Sequence, residues 1–258
     1  MMQILSHSWY MTLRHLRNTS RMPFVIFMNL IQPIIWLVLF SSLFSNIIDI
    51  PGFNTDSYIT FLAPGIIIMS TFMAGGYAGM SIIGDHTRGV LNRFLISPVK
   101  RSSMILGPLA QNAVTMIIQA LIMILLSLAL GASFAGGFGG ILMLIAFGVL
   151  VGVAFGALSM ALALLVRNEQ GLMSAVSFVS LPLMFLSGLF MPLDLVPDWI
   201  HTVALFNPVS WAGEAACEVI GSHPDWSLIL SHFGYLLSFL IFAVWLATLA
   251  FRKYQKSV

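Results

Sequence analysis

Six long apolar runs dominate the sequence, and they limit what the chain can become. They cover residues 24–48, 58–83, 103–132, 140–166, 171–191 and 227–251, each bounded by charge, Pro or Gly. A helix that crosses a bilayer needs about 20 mostly apolar residues, and each run is long enough. In lipid every backbone N–H and C=O must be satisfied within the protein, which a continuous helix achieves by itself. The expected fold is all-α and integral to a membrane: six transmembrane helices in one transmembrane domain over residues 1–258. Composition points the same way. Hydrophobic residues make up 59% and charged residues 8%, against about 25% charged in a soluble domain. So few charges cannot cover a water-facing surface.

The charges orient the bundle. Cytoplasmic loops carry an excess of Lys and Arg. With six spans, all 11 basic residues fall on one side: Arg14, Arg17 and Arg21; Arg88, Arg93, Lys100 and Arg101; Arg167; and Arg252, Lys253 and Lys256. Seven of the 9 acids fall on the other: Asp49, Asp56, Asp194, Asp198, Glu214, Glu218 and Asp225. A different span count scrambles this pattern, so both termini are expected in the cytoplasm. The first run exceeds the roughly 7–15 apolar residues of a secretory leader and reads as a span. The lone cysteine, Cys217, permits no intrachain disulfide.

Two segments outside the spans carry structure of their own. In residues 1–22, Leu5, Trp9, Leu13 and Leu16 recur at helical spacing while Arg14, Arg17 and Asn18 lie elsewhere on the wheel. This reads as an amphipathic helix in the membrane interface, with Trp9 and Tyr10 at headgroup depth; a solvated helix packed on a partner is the plainer alternative. The external segment 192–226 holds apolar pieces too short to span, 203–206 and 211–220, between Pro197, Pro208 and Pro224. Such pieces suggest re-entrant or interfacial helices, tolerated at membrane depth only where protein surrounds them.

The cytoplasmic loop 85–101 reads DHTRGVLNRFLISPVKR. Val90, Leu91, Phe94 and Leu95 form one apolar patch with Arg88 and Arg93 off it, and Pro98 stops a helix at Ser97. A short amphipathic helix of this kind either docks into a groove of a soluble partner or rests on the bilayer. The pattern acidic-x-x-Arg-Gly-x-Leu-x-Arg-x-x-x-Ser-Pro-Val-x-Arg resembles the signature loop of the type-2 ABC exporter permeases, with Asp85 where that family often has Glu. Further stretches resemble the same family in the same order: NLIQPIIWLVLF at 29–40, FLAPGI at 61–66, LSGLFMPL at 186–193 followed by VPDWI at 196–200, and FNPVSW at 206–211. Within the family the chain looks closest to daunorubicin-resistance-type drug exporter permeases.

The resemblance implies specific roles. The loop would contain a coupling helix, with Asp85, Arg88, Gly89, Leu91, Arg93, Phe94 and Pro98 contacting a separate nucleotide-binding ATPase present in two copies. Residues 192–220 would form a re-entrant helical hairpin on the external side. Two permease chains would pair as a homodimer in the inner membrane of a prokaryote, moving an amphipathic drug-like, lipid or glycan substrate out of the cytoplasm. The residues agree on one independent point. No G-x-x-x-x-G-K-[ST] loop is present, and none of the lysines Lys100, Lys253 and Lys256 follows a glycine. Without a phosphate cradle and its Lys, P-loop binding of ATP is not expected of this chain. ATP and Mg would sit on the partner.

Polar residues inside the spans are candidates for a translocation path: Asn29 and Gln32 in the first, and Gln111, Thr115 and Gln119 in the third. Ser174, Ser177 and Ser180 step by three in the fifth. Such groups face a bundle interior, as path or as interhelical hydrogen bonds. Glycines four apart, Gly75 and Gly79 in the second span and Gly148, Gly152 and Gly156 in the fourth, read as close helix packing. Glu214 and Glu218 are external gate candidates, or a solvated outer face. No Asp, Glu, Lys or Arg lies mid-span, which weighs against an ion-coupled carrier. A channel subunit would need no docking loop. No catalytic constellation or metal-ligand spacing appears, and the basic residues follow the membrane rule, so nucleic-acid binding is not expected.

Overall fold

The structure, a computed structural model, describes residues 23–44, 57–87, 103–191, 193 and 196–255. The expected interfacial helix at 1–22 and the loop residues 88–101 lie outside the described residues. Every regular element within them is a helix. In order these are α1 (Pro23–Leu43), α2 (Tyr58–Gly76), α3 (Met80–Thr87), α4 (Ser103–Ala129), α5 (Gly137–Val166), α6 (Glu169–Phe185), α7 (Asp198–Ala204), α8 (Pro208–Ile220) and α9 (Trp226–Gln255).

Four stretches are long and apolar enough to cross a membrane: Tyr58–Asp85, Leu106–Ala129, Gly137–Val166 and Trp226–Arg252. They fall on the second, third, fourth and sixth expected runs. The described apolar part of α1 is shorter, Leu30–Leu43. The fifth run also differs from expectation, because α6 stops at Phe185 after 17 residues. Pro182 lies in its last turn, the Leu186 N–H closes back on the Pro182 carbonyl at 2.9 Å, and residues 186–191 leave the helix. At 1.5 Å per residue α6 is about 26 Å long, just under the roughly 30 Å hydrocarbon core.

α5 is the hub, packing along α9, α2, α8 and α4. Its contact with α2 is built on the expected glycines. A methyl group on Gly75 would run into the Gly152 carbonyl, and one on Gly152 would lie 2.6 Å from the Thr71 carbonyl oxygen. The two backbones therefore touch where any larger residue would hold them apart. Outward faces are apolar: Phe178 is 80% exposed and Leu230 67%, a cost in water that lipid removes.

The second run is not one helix. It breaks at Tyr77–Gly79, where Ala78 N–H bonds the Gly75 carbonyl at 2.9 Å and Met80 N–H bonds Tyr77 at 3.1 Å. Ser159 of α5 bridges the break. Its hydroxyl donates to the Gly76 carbonyl and accepts the Gly79 N–H at 3.0 Å. These backbone groups would otherwise be stranded in a buried place.

The segment after α6 holds α7 and α8. The expected apolar piece 203–206 forms no element of its own; it ends α7 and turns toward α8, with Phe206 79% exposed. α8 has 13 residues, about 20 Å, too short to span. Its Val209, Ala212, Ala215 and Ala216 are fully buried against α5, α9 and α2. Asn207 anchors it. Its Nδ2 donates to the Leu183 and Leu186 carbonyls at 2.6 and 3.1 Å, satisfying the open C-terminus of α6. Its Oδ1 accepts the Val209 N–H at 3.0 Å, capping α8.

Candidate functional site

A cavity of about 670 Å³ lies among α1, α2, α4 and α6. α1 brings Gln32 and Trp36; α2 brings Met69 and Ser70, and the break after it Tyr77; α4 brings Asn112, Thr115 and Gln119; α6 brings Ser177 and Ser180. Among the described residues no Asp, Glu, Lys, Arg or His lines it. The walls are otherwise apolar, with Met73, Met80, Met173 and Met184 joining Met69. Trp36 is held by Phe40, whose ring centroid is 5.0 Å away, and by Phe190 at 5.6 Å.

Of the expected path residues, Gln32, Thr115 and Gln119 meet here. Asn29 lies on α1, but its side chain is outside the described part. Gln111 does not line the cavity; Asn112 does. Helical phase explains the exchange. At about 100° per residue, Gln111 is about 80° around the helix from Gln119, whereas Asn112 is about 20° from it. The same rule sorts the serines. Ser177 lies about 60° from Ser180 and shares the cavity, while Ser174 lies about 120° away and does not.

The hydrogen-bond states of these groups set the cavity's chemistry. Thr115 Oγ1 donates to the Gln111 carbonyl at 3.2 Å, and Ser70 Oγ donates to Ile67 at 2.8 Å. Gln119 is 4% exposed, and its Oε1 has no hydrogen-bond partner among the described residues. A buried acceptor without a donor is costly, and the residue that carries this one lines the cavity.

The two expected gate residues separate. Glu218 Oε2 accepts the Asp225 N–H at 3.1 Å, and Asp225 Oδ1 in turn accepts the Ser227 N–H at 2.9 Å. Glu218 thus holds the turn into α9. Glu214 Oε1 accepts from Ser210 Oγ at 2.8 Å, and its Oε2 lies 3.8 Å from His232 Nε2 on α9. Sequence reading missed His232, which is 14 residues beyond Glu218 and carries no local signal. Between the acids, half-buried Cys217 has its thiol pKa pushed up to about 12 by burial, then by Glu218 and Glu214. In the loop, Asp85 falls on the last turn of α3 and is half-buried. Arg88, Gly89, Leu91, Arg93, Phe94 and Pro98 lie outside the described residues.

Comparison with known proteins places this architecture. A protein named as a transport permease in Porphyra purpurea is 34% identical over 210 residues, covering 80% of this chain and 71% of its own length. A daunorubicin resistance ABC transporter permease of Streptomyces coeruleorubidus is 28% identical, covering 84% and 74%. A doxorubicin resistance ABC transporter permease of Mycobacterium tuberculosis is 25% identical, covering 71% and 65%. The profile of the ABC-2 type transporters matches residues 7–221. This multi-pass membrane chain belongs to the ABC-2 type transporter family.

Proposed function

We propose that the chain is the membrane subunit of an ATP-driven exporter, with ATP and Mg bound by a separate ATPase. Two copies of each subunit assemble around one pathway in a prokaryotic inner membrane, with six spans and both termini cytoplasmic. The loop at 85–101 takes the push of ATPase closure. The cavity among α1, α2, α4 and α6 receives the solute, and α8 caps the external side as a re-entrant helix. The observation that carries this reading is that cavity: a polar-spotted, uncharged space enclosed by helices in a chain of this family. Among the described residues no Asp, Glu, Lys, Arg or His lines the cavity, which weighs against an ion-coupled carrier, since such carriers commonly need one.

Co-purification with the candidate ATPase tests the proposal, comparing wild type with the double variant Arg93→Glu plus Phe94→Ala. The ATPase is expected to stay with the wild type and to be lost from a folded double variant. Failure to recover any ATPase, or full retention by the variant, would remove the coupling role of the loop.

A further inference from the structure

We infer that the cavity accepts an uncharged amphipathic solute that donates a hydrogen bond to Gln119. The inference rests on the cavity being a solute site, as proposed above, and adds the chemistry of what fits.

Size comes first. A space of about 670 Å³ lies in the range of small-molecule sites, about 300–1,000 Å³. A lipid-sized or polymeric glycan occupant would enter only in part. Charge comes second. No Asp, Glu, Lys, Arg or His lines the wall among the described residues, so an ion would shed its water with no opposite charge to pair against. The apolar wall comes third. Five thioethers, Met69, Met73, Met80, Met173 and Met184, line it. Methionine is flexible and polarisable, and such surfaces adapt to several shapes. The wall selects an apolar body more than one outline.

Polarity comes last and is the most specific. The hydroxyl hydrogens of Thr115 and Ser70 are spent on the Gln111 and Ile67 carbonyls. What these two side chains offer the cavity is lone pairs. Gln119 Oε1 is buried and has no donor among the described residues. The amides of Gln32 and Asn112 and the hydroxyls of Tyr77, Ser177 and Ser180 line the same space, but the buried acceptor left there without a donor among the described residues is Gln119 Oε1, and a solute that satisfies it carries an O–H or N–H.

The test uses full-length protein in lipid nanodiscs and three related fluorescent probes. N-phenyl-1-naphthylamine is uncharged and has one N–H. Its N-methyl derivative lacks the donor. 1-Anilinonaphthalene-8-sulfonate keeps the N–H and adds an anion. Saturable binding is measured against empty discs. Wild type is expected to bind the N–H probe about tenfold more tightly than the N-methyl probe, the loss of about one neutral hydrogen bond. The sulfonate is expected to bind at least about tenfold more weakly than the uncharged N–H probe. Gln119→Met keeps side-chain length and removes the acceptor; it should weaken the N–H probe about tenfold and leave the N-methyl probe unchanged. Equal wild-type binding of the two uncharged probes overturns the inference. So does sulfonate binding as tight as the N–H probe, an equal loss of both uncharged probes in the variant, or no saturable binding at all. The wild-type comparison decides even where the variant does not fold. No ATPase enters the assay, so its failure is distinct from failure of the exporter reading, which the co-purification judges.

Discussion

Ser159→Ala probes the most unusual joint in the fold. Ser159 is 5% exposed. Its hydroxyl accepts the Gly79 N–H at 3.0 Å and donates to the Gly76 carbonyl across the α2–α3 break. The Gly79 N–H bonds this hydroxyl and not the Gly75 carbonyl that a continuous helix would offer it; that carbonyl takes the Ala78 N–H. Alanine therefore strands a buried donor and a buried acceptor together. Each stranded group costs about 1–3 kcal/mol in a protein interior, while side-chain bonds measured within a membrane reach only about 1.7 kcal/mol. We take about 2 kcal/mol for the pair, which lowers the unfolding midpoint by about 4–8 °C in a chain of this size. The assay is thermal unfolding in nanodiscs at one fixed scan rate. Ser238→Ala is the control, since its exposed hydroxyl only doubles a carbonyl within α9; it should shift stability by less than about 0.5 kcal/mol. If Ser159→Ala melts with the wild type and the control, the break is not held by this serine.

Three further outcomes follow from packing and charge. Asn207→Ala should cost about 2–4 kcal/mol, because it opens the end of α6 and the cap of α8 together; Asn207→Ser, which keeps a cap acceptor without setting a charge against the Leu183 and Leu186 carbonyls, should recover part of that on the same melting assay. Gly75→Ala should destabilise by about 1–3 kcal/mol through its clash with Gly152, whereas Gly84→Ala, with nothing within 4 Å, should be neutral or stabilising. Cys217 should resist alkylation. With its pKa raised to about 12, the thiol stays protonated through neutral pH, and N-ethylmaleimide at pH 8 should react at least about tenfold more slowly than with a free cysteine, the smaller thiolate fraction being partly offset by a more nucleophilic thiolate; modification at the free rate would contradict the raised pKa.

Some of this was legible in the residues and some was not. Long apolar runs announce themselves by composition, and glycines four apart in α2 and α5 pointed to the close contact that Gly75 and Gly152 make. The Tyr77–Gly79 break was invisible because the residues on both sides are equally apolar, and the serine that bridges it is 80 positions away. The polar stripe of α4 was read one residue out of phase: spacing of four drifts around a helix, and Asn112 faces the cavity where Gln111 does not. The end of α6 was placed late because residues 186–191 are apolar without being helical. FNPVSW was readable as a family pattern, but only the fold shows Asn207 joining two helix ends. His232 met Glu214 through tertiary packing alone.

The exporter role proposed above requires that the cavity among α1, α2, α4 and α6 be exposed to different sides of the membrane as ATP is used. Ser177→Cys in a Cys217→Ala background, assembled with the ATPase in nanodiscs, tests this without knowledge of the substrate. Ser177 lines the cavity and is half-buried. A small charged methanethiosulfonate should label the new thiol at rates differing by about tenfold or more between the nucleotide-free complex and the ATP–vanadate complex, as a two-state shift demands. Equal labelling rates in the two states would contradict the account.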